Sequence, residues 1–191
     1  MSRMFGNRRA LTSRAKLRLV LAVAGALGAT FCAVAVAQAE GIWINTTDSM
    51  PMGLWRATPT HGAQRGDVVL LCLPNTPAVK LGQSRGYIAP GPCPTGQEIV
   101  LKPVAAAAGD LVDITSAGVS VNGTPIPNSG QLVHDSAGRP MPRVAAGEYR
   151  VPPGELWLVS GHNPRSFDSR YFGPVPAALV RTSVRPLWVV E

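Results

Sequence analysis

Apolar positions form one long block near the start of the chain and a series of short runs after it. From Leu19 to Ala37 no position is charged. As a helix, at 1.5 Å per residue, that block reaches about 28 Å, close to the hydrocarbon thickness of a bilayer. Beyond residue 40 each short run is bounded by turn-forming residues, which predicts strands. Val68–Leu73 follows Arg65-Gly66-Asp67, and Glu98–Val104 is separated from Leu111–Thr115 by Gly109-Asp110. Val119–Val121 and Thr124–Ile126 flank Asn122-Gly123, a hairpin signal because both residue types tolerate positive φ. Leu156–Val159 leads into Ser160-Gly161, and Val184–Val190 is a last apolar strand. Pro74 to Pro94 is rich in Pro and Gly and reads as a long loop. There is no internal repeat.

This pattern predicts a mainly β, antiparallel domain over 40–191, preceded by one membrane segment over 19–39 and a basic tail over 1–18. The 20 Gly and 18 Pro agree with many turns and argue against a helical bundle. A formal charge of +7 raises the question of nucleic acid, but the charge sits at one end. Arg3, Arg8, Arg9, Arg14, Lys16 and Arg18 fall in the first 18 residues with no acid among them. Taking these six from the 18 basic residues leaves 12 against 11 acids, with no basic face for a nucleic-acid partner. Basic residues before an apolar span stay cytoplasmic, so the domain is expected outside the inner membrane, in a periplasm. The segment is either a retained anchor or a cleaved leader, since Ala37-Gln38-Ala39 has the small-x-small form of a cleavage site.

Cys32 lies in the apolar block, which leaves Cys72 and Cys93 for the exported domain. In an oxidising compartment they are candidates for a disulfide, the alternative being two buried free thiols. No CxxC or His-x-x-x-His spacing occurs, so neither a metal nor another cofactor is expected.

Three segments carry candidate chemistry. Ser49 lies in Asn45-Thr46-Thr47-Asp48-Ser49-Met50-Pro51, about ten residues after the membrane segment. Even an extended link keeps it within roughly 35–40 Å of the bilayer. The domain contains only two lysines, Lys80 and Lys102, against ten arginines. Lys102 stands among apolar neighbours, and strand alternation puts it on the face of Val100 and Val104. Poor solvation there disfavours the ammonium and prepares the amine to take a proton from a serine hydroxyl. The bland reading is a lysine whose stem covers the core while its head reaches water. The third segment, Ser160 to Gly173, is dense in hydrogen-bonding groups. In it Asp168 and Arg170 pair or cap local backbone, and Ser166 is a candidate to orient a lysine amine, the alternative being a purely structural polar loop.

Taken in order, Ser-Met-Pro-x-Gly-Leu-Trp, then Leu-Lys-Pro-Val-Ala with Ala-Gly-Asp, then Gly-x-Asn-x-x-Ser-x-Asp-Ser-Arg-Tyr-Phe-Gly-Pro-Val resemble the S26 signal peptidases over residues 40–191. The resemblance is nearest to the TraF-type, conjugal-transfer branch. It implies a serine endopeptidase with Ser49 as nucleophile and Lys102 as general base. It further implies an oxyanion hole from Thr47 and the Ser49 N–H, an aspartate needed in that branch at Asp168, and Ser166 and Arg170 in support. The implied substrate is an exported prepilin or other preprotein, processed by hydrolysis or cyclisation beside a type IV secretion apparatus. One departure is Gly161-His162-Asn163 where ordinary signal peptidases have Gly-Asp-Asn, in a loop one residue shorter. A housekeeping signal peptidase and a non-catalytic assembly factor remain alternatives. A Ser-His-Asp hydrolase using His162 or His134 is the enzymatic rival, although no Gly-x-Ser-x-Gly elbow is present.

Overall fold

The computed structural model describes residues 13–59 and 62–190, so residues 1–12 of the basic tail lie outside the described residues. The chain divides into two units, one ending at Glu40 and the other running from Gly41 to Glu191. In the first, helix α1 spans Ser13–Ala39 and takes in Arg14, Lys16 and Arg18, which the sequence pattern assigns to the tail. Its Lys16–Ala37 stretch is long and apolar enough to cross a membrane, with a mean hydropathy of 2.4.

The second unit is built on antiparallel sheets. Strands β1 (Ile42–Asn45), β2 (Met52–Thr58), β3 (Val68–Leu71), β4 (Val100–Ala106), β9 (Glu155–Leu158), β10 (Val175–Pro176) and β11 (Val180–Val190) form a seven-stranded sheet in the order β1-β2-β11-β3-β4-β9-β10. Strands β5 (Leu111–Thr115), β6 (Gly118–Val121), β7 (Thr124–Pro125) and β8 (Gly147–Arg150) form a smaller sheet in the order β7-β6-β5-β8. The fold class is therefore mainly β, as the run lengths predict.

Side-chain alternation divides the large sheet's apolar residues between two cores. Val69, Leu71, Val100, Val104 and Leu158 join one cluster, which also contains Phe167, Tyr171 and Phe172. Their neighbours Leu70 and Leu101 join Met50, Trp55 and Val184 in another. Lys102, two residues from both Val100 and Val104, shares their face. A third cluster under the small sheet includes Val112, Ile114, Val119 and Trp157. The Asn122-Gly123 turn closes as expected, with φ of 50° and 79° and Val121 paired to Thr124.

Strands β1, β2 and β8 are not evident from the pattern. β1 has four residues, β2 carries Gly53 and Arg56 among its apolar positions, and β8 is mostly exposed. Gly53 has φ 136°, and a Cβ there would stand 2.3 Å from the Trp188 carbonyl oxygen. Its lack of a side chain lets β11 pair with β2 directly after the turn that carries Ser49.

The expected Pro74–Pro94 loop is corrected by a helix, α2 (Pro77–Ser84), within it. Thr76 caps this helix by accepting from the Val79 N–H, and Pro77 occupies the first turn, where no N–H is needed. Proline and glycine are thus punctuation at the helix end and at its contact surface. At Gly82 a Cβ would meet Phe167 Cε1 at 2.6 Å, so the glycine permits close docking on that ring.

Cys72 and Cys93 are bonded across a separation of 21 residues, which ties the end of β3 to the far side of the α2 segment. Cys32 is free and exposed. Closing a loop of this size restricts the unfolded chain, an effect of about 2–4 kcal/mol. Replacing both cysteines by serine is expected to lower the melting temperature accordingly. An unchanged melting temperature in calorimetry would show that the bond does not stabilise the domain.

Candidate active site

Ser49 sits in the turn between β1 and β2, whose last paired residues are Asn45 and Gly53. The turn has no regular ladder of its own, and Asn45 supplies its hydrogen bonds. The Asn45 side chain is buried, at 5% exposure. Its Nδ2 donates to the carbonyls of Thr47 (2.9 Å), Met50 (2.9 Å) and Pro51 (3.0 Å). Its Oδ1 accepts from the Thr47 N–H at 3.2 Å and the Thr47 hydroxyl at 2.9 Å. Thr47 Oγ1 in turn lies 3.4 Å from Ser49 Oγ. From the other side, the Ser160 hydroxyl donates to the Ser49 carbonyl at 2.5 Å.

Lys102 lies in the middle of β4 at 5% exposure, and its Nζ donates to Ser166 Oγ at 2.9 Å. Burial is the main influence on its charge and lowers the ammonium pKa from 10.5 to about 8. Asp168 pulls the value up and Arg170 pushes it down, so the two neighbours partly cancel. A substantial neutral fraction near pH 8 follows, which is what a general base requires.

Behind these residues lies a fully buried ion pair. Arg170 Nε and Nη2 donate to the two Asp168 carboxylate oxygens, both at 2.8 Å. The rest of the guanidinium donates to backbone carbonyls, including Gly130 (3.0 Å) and Ser166 (2.9 Å). Asp168 also accepts from the Ser160 N–H at 3.1 Å and caps the short helix α3 (Ser169–Phe172) through the Arg170 N–H. The pair thus fixes Ser160, which holds the Ser49 carbonyl, and Ser166, which holds the Lys102 amine.

Ser49, Thr47, Lys102 and Ser166 line one groove of about 380 Å³. Asp168 and Arg170 do not line it and stand in the wall behind. Of the two histidines considered for a rival mechanism, neither lines the groove, and His162 meets the network only by its backbone N–H to Ser160. Among the described residues no group of three or more His, Cys, Asp or Glu is arranged to hold a metal. Asn45 and Ser160 were not singled out from the sequence. Asn45 is the residue at which β1 ends, and its partners lie two to six positions on, so its contacts are local but their strength depends on its burial. Ser160 sits 111 positions away from the carbonyl it holds, so that contact does not follow from local spacing.

A β domain with a buried lysine and a serine in one groove has the makings of a serine peptidase. The family model "Signal peptidase, peptidase S26" matches residues 14–188, and the chain belongs to that family. Relatives include a plasmid transfer protein TraF of Escherichia coli, 39% identical over 171 residues, covering 89% of this chain and 96% of the relative. A probable conjugal transfer protein TraF of Sinorhizobium fredii is also 39% identical, covering 88% and 89%. A conjugal transfer protein TraF of Agrobacterium fabrum is 36% identical, covering 79% and 84%. Among solved structures, a signal peptidase I from Enterococcus faecalis matches with 21% identity and a TM-score of 0.35, over 64% of this chain and 97% of that one.

Removing one partner of a buried pair leaves an uncompensated charge, at a cost of about 3–5 kcal/mol. Asp168→Ala is therefore expected to unfold at markedly lower denaturant than wild type; an unchanged midpoint would overturn the structural weight given to the pair. Lys102 behaves oppositely. Its folded pKa lies below its unfolded value, so protonation at neutral pH opposes folding, and stability rises as pH climbs from about 8 toward 10.5. Lys102→Met is expected to raise stability at pH 7 by about 0.5–2 kcal/mol. A lower melting temperature for this variant would show that the amine is held favourably in its charged form.

Proposed function

We propose that this chain is a membrane-associated endopeptidase with a Ser49/Lys102 dyad, which processes an exported precursor during plasmid transfer. The observation that carries the reading is a buried lysine of lowered pKa lining the same groove as Ser49. Membership of the S26 family supports peptidase chemistry. The names of the TraF relatives support plasmid transfer, and the pilin precursor implied by the motif resemblance is the first candidate substrate. Helix α1 supports membrane association. So does an exposed apolar stripe beside the nucleophile turn, in which Ile44 and Trp188 both pair with Leu54. The expected organisation is a cytoplasmic tail over 1–18, the membrane segment over 19–39 and a periplasmic domain over 40–191.

In this mechanism neutral Lys102, oriented by Ser166, removes the Ser49 proton. Ser49 Oγ attacks a peptide carbonyl and forms an acyl-enzyme. The Ser49 N–H and the Thr47 hydroxyl are the donors assigned to the oxyanion, and a donor that is preorganised is worth about 2.7–4 kcal/mol. Lys102 then gives its proton to the departing amine. Water, or an amine of the substrate in a cyclisation, resolves the acyl-enzyme. Asp168 and Arg170 act by positioning Ser160 and Ser166.

Co-expression with a candidate prepilin, followed by mass spectrometry of the product, tests the reading. Ser49→Ala and Lys102→Ala are expected to abolish processing while remaining folded, and continued processing by either would sink the dyad. A product lighter by one further water identifies cyclisation. The activity should also follow the deprotonation of Lys102. With a pKa of about 8, kcat/KM is expected to fall about tenfold per unit as the pH drops below it, and to level off above it. A profile that is flat from about pH 6 to 9 would exclude Lys102 as the titrating base.

A further inference from the structure

Asn45 is a buried side chain that bonds the nucleophile turn at Thr47, Met50 and Pro51, and its orientation is fixed by its neighbours. Nδ2 faces three backbone carbonyls, which only accept. Oδ1 faces the Thr47 N–H, which only donates. The amide therefore cannot be reversed without setting donor against donor and acceptor against acceptor. With Oδ1 so placed, the Thr47 hydroxyl 2.9 Å away must donate to it. The hydroxyl has one proton, and it is committed to Asn45. What Thr47 Oγ1 offers Ser49 Oγ, 3.4 Å away, is a lone pair.

We infer that Asn45 is a positioning residue for the nucleophile: its amide holds the backbone of the 47–51 turn, and its carbonyl oxygen takes the Thr47 proton so that Thr47 Oγ1 accepts from the Ser49 hydroxyl at rest, the Ser49 proton turning from Thr47 to Lys102 as attack begins. Thr47 is then an acceptor at rest. It becomes a donor to the oxyanion only when its hydroxyl turns away from Asn45, and the Ser49 N–H is the donor that is ready beforehand. Asn45 itself does not touch the reacting atoms in this scheme. The inference rests on Ser49 being the nucleophile.

The test is steady-state cleavage of a precursor-derived peptide by the full chain in detergent, for wild type, Ser49→Ala, Asn45→Asp, Thr47→Val, Thr47→Ser and the Asn45→Asp/Thr47→Val double variant, with melting temperatures recorded for all. Asn45→Asp keeps the shape and the acceptor of the side chain but removes the donors that hold the turn. It is expected to lower kcat by about 100-fold, in line with the effect of slight misplacement of a reacting group, with KM changed less than about threefold. Thr47→Val is expected to lower kcat by at least about tenfold, and Thr47→Ser, which restores the hydroxyl, to recover most of it. The double variant should be little worse than Asn45→Asp alone, because both changes act on one bonded unit. Wild-type kcat in Asn45→Asp overturns the inference, as do strictly additive losses in the double variant or a change confined to KM. If Asn45→Asp does not fold, Thr47→Val and Thr47→Ser decide: equal activity of the two leaves no role for the Thr47 hydroxyl and overturns it. Cleavage by Ser49→Ala would instead remove the dyad on which the inference stands.

Discussion

Arg170 brings five N–H donors and a permanent charge into a place with no solvent, and the wall behind the groove is arranged around satisfying it. Two donors go to Asp168, and others reach the carbonyls of Gly130 and Ser166. A guanidinium in this position has a single low-energy arrangement, because each lost partner leaves a buried polar group unpaired. It thereby fixes chain segments that are far apart in sequence. Asp168, held by Arg170, holds Ser160, and Ser160 holds the Ser49 carbonyl. Ser166, whose carbonyl binds Arg170, binds Lys102 through its hydroxyl. One ion pair thus sets the position of both the serine and the lysine without lining the groove they share.

The two buried cationic residues are treated differently, and the difference is chemical. Arginine cannot lose its proton in a protein, so it must be neutralised, and a bidentate carboxylate does this. Lysine can lose its proton, so burial without a carboxylate in direct contact moves its pKa instead. Lys102 has a serine hydroxyl as its hydrogen-bond partner, while the two charges that act on it most, Asp168 and Arg170, pull its pKa in opposite directions. Separating the ion pair from the lysine by one serine leaves burial as the main influence on the amine, whose pKa stays lowered. A direct Lys102–Asp168 bond would hold the ammonium in its charged form.

The β class, the Asn122-Gly123 hairpin and the apolar membrane-length segment were all legible, because each depends on local rules. Turn residues bound short runs, and positive φ selects Asn-Gly. The α2 helix was hidden because Pro77 and Gly82, read as loop residues, are a helix start and a packing surface. β1 and β2 were hidden because four-residue strands and a strand carrying Arg56 do not alternate cleanly. The three chemistry-bearing segments stood out by residue type: a scarce lysine in an apolar run, a serine just after the membrane segment, and a cluster of polar side chains after a strand.

By itself, then, the sequence determined which residues are candidates for chemistry and which of the clearer short runs form strands, since composition, period and turn chemistry act over a few positions. The tertiary structure alone decided what those groups meet. It placed Asp168 in a buried pair behind the groove, gave Lys102 a neutral partner in Ser166, and brought Ser160 to the carbonyl of Ser49. It also buried Asn45, a residue of no special note in the pattern, against the backbone of the turn that carries Ser49. Burial, the serine that holds Lys102 and the contact of Ser160 with Ser49 depend on neighbours far away in the chain, and no spacing along the sequence specifies them.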